Sequence, residues 1–312
     1  MPNFLIVGAP KSGTTSLNEY LRQHPDVFVP KKHKEPTYFV REGKGSWKSF
    51  GGTLDSYMGL FRNAKGKKAI GEASTAYLYD DDSPGWIKKV LGEVKIIILL
   101  RNPAKRAFSL YTYNTMHGWE DAPTFEEGLR REPLRRRDAR FRANCPHLFQ
   151  AYMYFDTGLY SKQVKRYLNI FKPERVRVYI FEDFVRHPQI ICKDTFRFLD
   201  VDSEFVPTID IYNEGKAPRS IALQFWLETK ANLLLKRYVN RYAETLARPI
   251  PTVKELNKRL GSKPVLSKEL YDHLMDRYLP DIYRLEQLLG RNLSTWYGNS
   301  IHGHAGNPVS AA

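Results

Sequence analysis

Lys11, Ser12, Gly13, Thr14, Thr15 and Ser16 follow one another three residues behind a short apolar run, Phe4 to Val7. One mobile positive charge, a glycine and a row of hydroxyls make a set of groups that can donate to an oxyanion. If the apolar run is a strand and Thr14-Thr15-Ser16 opens a helix, then Gly8, Pro10 and Gly13 form the turn between them. Backbone N–H groups point outward at such a turn, and the helix dipole favours negative charge. Gly8 and Gly13 have the spacing of the triphosphate motif G-x-x-x-x-G-K-[ST]. Thr14, however, stands where that motif has its lysine, and Lys11 comes two residues before the second glycine. The chemistry expected is oxyanion binding by a loop unlike that of an ordinary ATPase.

The elements that must carry this loop are readable in outline. Val94–Leu100 (VKIIILL) is β-branched and nearly unbroken, as a central parallel strand should be. It ends at Arg101, after which Asn102 suits a helix cap and Pro103 a first turn. The helix this opens, about 103–116, sets Arg106, Ser109 and Tyr113 on one face by their i, i+3, i+7 spacing. Helices are also expected at Thr15–His24, Gly158–Phe171, Pro188–Leu199, Ile221–Leu246 and Lys268–Leu289, with strands at Val27–Val29 and Arg175–Phe181, and Ala69–Glu72 reads as a brief return to the interior. Strands alternating with helices argue for an α/β fold with a parallel sheet. Residues 118–150 read as a polar connection carrying an arginine cluster, Arg130 to Arg142.

A chain of 312 residues has ample core for a stable fold. With 49 Lys and Arg against 34 acidic residues, its net charge of +15 points to an anionic partner of some kind. Cys145 and Cys192 belong to no C-x-x-C pair and read as idle thiols in a reducing compartment. The N-terminus runs straight into the first strand without a signal-peptide pattern, and no apolar run approaches the roughly 18 residues of a membrane span. The expectation is a soluble, cytoplasmic protein.

Three segments together resemble the sulfotransferases that use 3′-phosphoadenosine 5′-phosphosulfate. PKSGTTSL, from Pro10, resembles their 5′-phosphosulfate loop; RNPAKRAFSLY, Arg101–Tyr111, resembles their 3′-phosphate motif. TGLYSKQVKRYLNIF followed by VRVYIFEDF is similar to a helix and strand of the heparan sulfate branch and its bacterial relatives, as is the closing YLPDIYRLEQLLGRNLSTW. The resemblance implies one α/β, P-loop-like domain over 1–297, a central parallel sheet flanked by helices, and a helical C-terminal part. In it 221–262 is a helical insertion or lid and 298–312 a disordered tail.

The same resemblance implies the residue roles. Lys11 reaches the oxygen between sulfate and 5′-phosphate, while Ser12, Gly13, Thr14, Thr15 and Ser16 donate to the 5′-phosphate. Arg101 and Ser109 hold the 3′-phosphate, and Lys216, Arg219 and Ser220 belong to a loop closing over the nucleotide. Glu35, in Lys34-Glu35-Pro36-Thr37, matches the glutamate that serves as general base in the heparan sulfate branch. Thr37 stands where that branch has a histidine, and Ala73 where it has an acceptor-holding lysine. A sulfuryl group in transit carries less charge than a phosphoryl group, so a lysine and backbone donors can serve it without magnesium. The implied acceptor is a hydroxyl or amine of a glycan, lipid or small natural product, favourable charge for an anionic one being offered by Arg130–Arg142.

On the residues alone other readings stay open. His33 and His117 are alternative bases. A kinase or NTPase with a deviant loop would need a metal-holding acid, for which Asp183 is the candidate. A polyanion binder would rest on the net charge, although no zinc-finger spacing, RNA-binding aromatic signature or helix-turn-helix marks a nucleic-acid protein.

Overall fold

The computed structural model describes residues 1–31, 35–40, 52–210, 218–231, 255–257 and 264–298. Strand β1 (Phe4–Gly8) leads through the glycine turn into helix α1 (Thr14–Gln23), followed by β2 (Val27–Phe28) and α2 (Leu54–Gly59). Next come β3 (Ala69–Ala73), α3 (Ser83–Leu91), β4 (Lys95–Leu100) and α4 (Pro103–His117). The arginine-rich stretch folds as α5 (Phe125–Arg137) and α6 (Ala139–Asn144), before α7 (Tyr160–Ile170) and β5 (Val176–Ile180). Helices α8 (Phe181–Arg186), α9 (Pro188–Phe198), α10 (Ile221–Trp226) and α11 (Lys268–Leu289) complete the described elements.

The strands form one five-stranded parallel sheet in the order β2-β3-β1-β4-β5. Phe4 of β1 sits opposite Gly71 on one side and Lys95 on the other. Every residue of β1 is buried, as the unbroken apolar run requires of a strand covered on both faces. Its alternating side chains feed two cores. Leu5 and Val7, with Ile96, Ile98 and Leu100 of β4, pack beneath residues of α3, α4, α7 and α11. Phe4 and Ile6, with Ile97 and Leu99, pack against Leu17, Tyr20 and Leu21 of α1 and Cys192 and Phe196 of α9. The α/β architecture expected from the alternation of elements is therefore the one observed.

Local boundaries differ where turn chemistry intervenes. Asp156–Gly158 make a 3₁₀ turn, so the helix expected from Gly158 begins at Tyr160. Phe181 opens α8 instead of closing β5. The polar reading of 118–150 missed two helices whose caps are ordinary: Thr124 Oγ1 accepts from Glu127 N, and Asp138 from Arg140 N and Phe141 N. Of the long helix expected at 221–246, the description covers only its start, α10 and a π-helical turn over 227–231. Most of the 221–262 segment, and the tail apart from Gly298, lie outside the described residues. Among those described, no helix is long and apolar enough to cross a membrane.

Candidate active site

The strand order places β1 centrally, with β3 on one side and β4 on the other, so the chain leaves β1 first toward one edge and later crosses to the opposite one. Such a switch point opens a crevice at the carboxyl ends of the strands. Three segments meet there: the loop after β1, the Ser74-Thr75 corner after β3, and Arg101 after β4.

The loop is built by two left-handed residues, Lys11 (φ 65°) and Gly13 (φ 84°). Gly13 also has no room for a side chain, since a Cβ there would lie 2.9 Å from the Phe181 ring. Gly13 is the N-cap of α1, and no side chain caps the helix. The first turn thus presents its N–H groups as an anion cradle. Ser12 Oγ is buried without a hydrogen-bond partner at the cradle's entrance, a group that an oxyanion would satisfy.

Arg101 braces the loop from below, its Nη1 donating to Lys11 O at 3.0 Å while its guanidinium lies 4.6 Å from the centre of the Phe181 ring. Burial lowers its pKa from the usual arginine range, and its Nε is buried without a partner. On α4, Ser109 and Tyr113 are partly exposed and one helical turn apart. Lys11 Nζ stands 4.2 Å from the centre of the Tyr113 ring. Arg106, expected on that same face, is instead fully buried and donates to Tyr154 O at 2.6 Å. Helical side chains lean toward the N-terminus, which carries this long one into the core below.

Glu35 is held by the corner after β3: Thr75 Oγ1 donates to its Oε2 at 2.9 Å and Thr75 N at 3.4 Å. Burial, and the charge of Glu35 after it, raise the Tyr113 hydroxyl above its ordinary value, so Glu35, Tyr113 and Lys11 share one neighbourhood. Beneath lies Glu72, fully buried in β3, with Oε1 accepting from Tyr77 OH at 2.8 Å and Tyr57 OH at 3.4 Å. Burial pushes its carboxyl up to about 8; the Ser74 and Tyr77 hydroxyls oppose this and the charge of Glu35 adds to it. Thr37, at φ 53°, is buried and donates its N–H to Ser74 Oγ at 3.0 Å, and Ala73 is packed in the opposite core. Both positions that depart from the heparan sulfate pattern are thus interior here.

The remaining expected residues are dispersed. Ser220 Oγ caps α10 by accepting from Leu223 N at 3.2 Å, and Arg219 is exposed with its N–H on Asn257 O at 2.8 Å. Asn257 Nδ2 donates to Gln224, whose amide in turn donates to Met116 O, so this group docks at the far end of α4 from Arg101. Lys216 and His33 lie outside the described residues. His117 Nδ1 is 2.8 Å from Tyr113 O. Asp183 is engaged by Arg291, and Glu182 accepts from Asn102 N at 3.1 Å and Trp296 Nε1 at 2.9 Å. Among the described residues no group of three or more His, Cys, Asp or Glu is placed to hold a metal ion.

The arginine cluster is largely committed to the fold. Arg130 and Arg131 pair with Glu127, and Arg136 with Asp156. Arg135 makes a buried two-pronged pair with Glu120, at 2.6 and 2.7 Å. A cleft of about 610 Å³ is lined by Arg136, Arg142, Arg166 and Arg284 together with Asp81 and Asp281. Arg166 pairs with Asp81 and Arg284 with Asp281, so its charges are mostly balanced within its own walls.

Sequence reasoning missed Thr75 as the holder of Glu35, Glu72 beneath it, and the contact of Lys11 with Tyr113. Each depends on pairings between distant strands, although a glutamate at the end of the interior stretch Ala69–Glu72 was a visible oddity. Known proteins resemble this chain over most of its length. The chain is 31% identical to a sulfotransferase of Alicyclobacillus acidocaldarius of known structure, with a TM-score of 0.70 over 95% of this chain and 99% of that one. It is 26% identical to mouse heparan sulfate glucosamine 3-O-sulfotransferase 3B1 over 94% of this chain and 64% of that protein. It is 32% identical to the membrane-associated sulfotransferase kil1 of Dictyostelium discoideum over 36% of this chain and 23% of that protein. The chain thus spans between about a quarter and just under two thirds of these curated relatives. The sulfotransferase domain family matches residues 1–216, from the cradle through Arg101 to the last strand and beyond, and the chain belongs to that family.

Proposed function

We propose that the protein moves a sulfuryl group from 3′-phosphoadenosine 5′-phosphosulfate to a hydroxyl of a glycan, lipid or small natural product. The observation that carries this reading is the meeting of Lys11, Glu35 and Arg101 at the ends of β1, β3 and β4, above a helix N-terminus without a side-chain cap. In this reading the cradle and the orphaned Ser12 hydroxyl take the 5′-phosphate, and Arg101 with Ser109 takes the 3′-phosphate. A guanidinium suits that task because its planar fork matches two phosphate oxygens.

The acceptor oxygen forms its bond to sulfur as the bond from sulfur to the 5′-phosphate oxygen breaks. Glu35, oriented by Thr75, accepts the acceptor's proton. Lys11 meets the negative charge that develops on the departing phosphate oxygen. The names of several relatives specify heparan sulfate. The buried Thr37 and Ala73 argue against carrying that specificity over. The NTPase alternative loses support because Asp183 is spent on Arg291.

Calorimetric titration with adenosine 3′,5′-bisphosphate, adenosine 5′-phosphate and magnesium ATP tests the donor. The bisphosphate should bind most tightly, and Arg101→Ala and Ser109→Ala should narrow its margin over the monophosphate. Labelled donor should yield a sulfated product with a hydroxyl acceptor. Magnesium-dependent preference for ATP would overturn the reading.

A further inference from the structure

Glu72 is the member of the site that the transfer chemistry leaves without a task. It lies in β3 beside Leu5 of β1, on the side of the sheet whose core holds Phe39, Tyr57, Tyr77 and Tyr167. A carboxyl in such surroundings costs folding free energy, so packing alone does not account for it.

The contacts around it lead to Glu35 by two routes. Tyr77 OH donates to Glu72 Oε1 at 2.8 Å, and Tyr77 is the last residue of the 3₁₀ turn Thr75–Tyr77. The first residue of that turn is Thr75, which holds the Glu35 carboxyl. The second route runs through Ser74, whose hydroxyl acts on Glu72 and accepts the N–H of Thr37 at 3.0 Å. Thr37 has a left-handed backbone, φ 53°, which a β-branched residue adopts only when its surroundings hold it there. The Glu35 side chain and the backbone two residues on are thus both fastened to the segment that Glu72 anchors.

The titratable groups that face Glu72 are Tyr57 from α2, Tyr77 from the turn, Tyr167 from α7 and Glu35 from its own loop. Burial raises all three tyrosine hydroxyls, so they act as neutral groups. Glu35 is the charged neighbour.

We propose that Glu72 is a positioning residue for the base: it fixes Ser74 and the turn Thr75–Tyr77, and through them the place of the Glu35 carboxyl. The proposal rests on the sulfuryl-transfer reading above, in which Glu35 takes the acceptor's proton, and adds the group that orients it. A proton on Glu72 also leaves Glu35 as the charged member of the pair, since the charge of Glu35 disfavours a second one beneath it.

The test is a double-mutant cycle on turnover, joined to a titration that needs no turnover. Glu72→Leu should lower kcat roughly 10- to 100-fold in the natural chain, with affinity for adenosine 3′,5′-bisphosphate changed by less than about twofold. Glu72→Gln, which keeps an acceptor for the two tyrosines, should recover most of that loss. In a Glu35→Gln background the same Glu72→Leu change should cost roughly threefold or less, because the base it positions is already gone. A purely structural Glu72 would cost the same in both backgrounds. Ser74→Ala should repeat the pattern more weakly, and takes the place of Glu72→Leu if that variant does not fold.

For the titration, the whole protein carries glutamate labelled with carbon-13 in its carboxyl, and the resonance that Glu72→Gln removes is followed by NMR. Its midpoint, about 8, should move to lower pH in Glu35→Gln and to higher pH in Tyr77→Phe, because the Glu35 charge raises it and the Tyr77 hydroxyl lowers it. Equal losses of kcat in both backgrounds, or a midpoint that Glu35→Gln leaves in place, would overturn the proposal. Normal turnover by Glu35→Gln would sink the choice of base instead, a failure the titration separates because it reads the coupling of the two carboxyls without any acceptor.

Discussion

Lys11 and Tyr113 face each other across the crevice, the ammonium 4.2 Å from the ring centre, although one belongs to the loop after β1 and the other to the end of α4. The left-handed backbone at Lys11 and the Arg101 bond to its carbonyl aim the side chain from one side, and the ring receives it on the other. If Lys11 stabilises the leaving group, Lys11→Ala should abolish turnover. Tyr113→Leu should lower kcat by about 2- to 30-fold, the range of one cation–π contact. Steady-state rates at saturating donor would check this, and an unchanged kcat in Tyr113→Leu would remove the ring from the positioning of Lys11.

Glu35 and Thr75 form the second pair to separate. Glu35→Gln keeps the size and loses the basicity, so kcat should fall by roughly 10²- to 10⁴-fold with nucleotide affinity intact. Thr75→Val deletes the 2.9 Å hydroxyl bond but leaves the carboxylate, and should cost about tenfold or less. Normal turnover by Glu35→Gln would transfer the role of base to another group, His117 being the candidate among the described residues.

Glu72 makes folding sensitive to pH. Its carboxyl is raised from an ordinary 4.5 to about 8, chiefly by burial. Between those values the folded chain holds a proton that the unfolded chain has released, so stability is fully present below the lower value and falls as pH rises toward the upper one. The slope is at most about 1.4 kcal/mol per pH unit, and the contribution is flat above the window. Urea midpoints measured from pH 4.5 to 9 should show this decline in the natural chain and lose it in Glu72→Gln. Parallel curves for the two proteins would show that Glu72 is not the group responsible.

The Arg135–Glu120 pair is a stability feature in a region whose composition suggests a solvated surface. Side-chain exposure is 7% for the arginine and none for the glutamate. Arg135→Met leaves a buried carboxylate behind and should destabilise by about 3–5 kcal/mol. Adding Glu120→Met should restore part of that loss, as chemical denaturation of the single and double variants would reveal. A double variant less stable than Arg135→Met would contradict this account.

What could be read from the residues was whatever is specified locally. The glycine turn, the strand Val94–Leu100 with Arg101 at its end, and the terminal helix Lys268–Leu289 each carry their own punctuation, and the structure has all three. The helix at 125–137 escaped because its inward face uses Glu132 and Arg135, whose partners lie outside the segment: Phe155 N and Asp156 N for one, Glu120 for the other. Arg106 deceived for a related reason, since helical spacing fixes a direction around the axis but not how deep a long side chain reaches. Ser220, assigned by the resemblance to a nucleotide-closing loop, also accepts from Leu223 N as the cap of α10, a contact that its position in the sequence does not announce.

The strand order has a kinetic consequence. β1 lies between β3 and β4, pairing Leu5 with Glu72 on one side and with Ile96 on the other. Both pairings close long stretches of chain before any contact rewards the lost entropy, which slows folding. The cradle, the Glu35 corner and Arg101 hang from the ends of these same strands. If the cradle binds nucleotide as proposed, that capacity is gained only when the central sheet closes, and its appearance during refolding would time the closure itself.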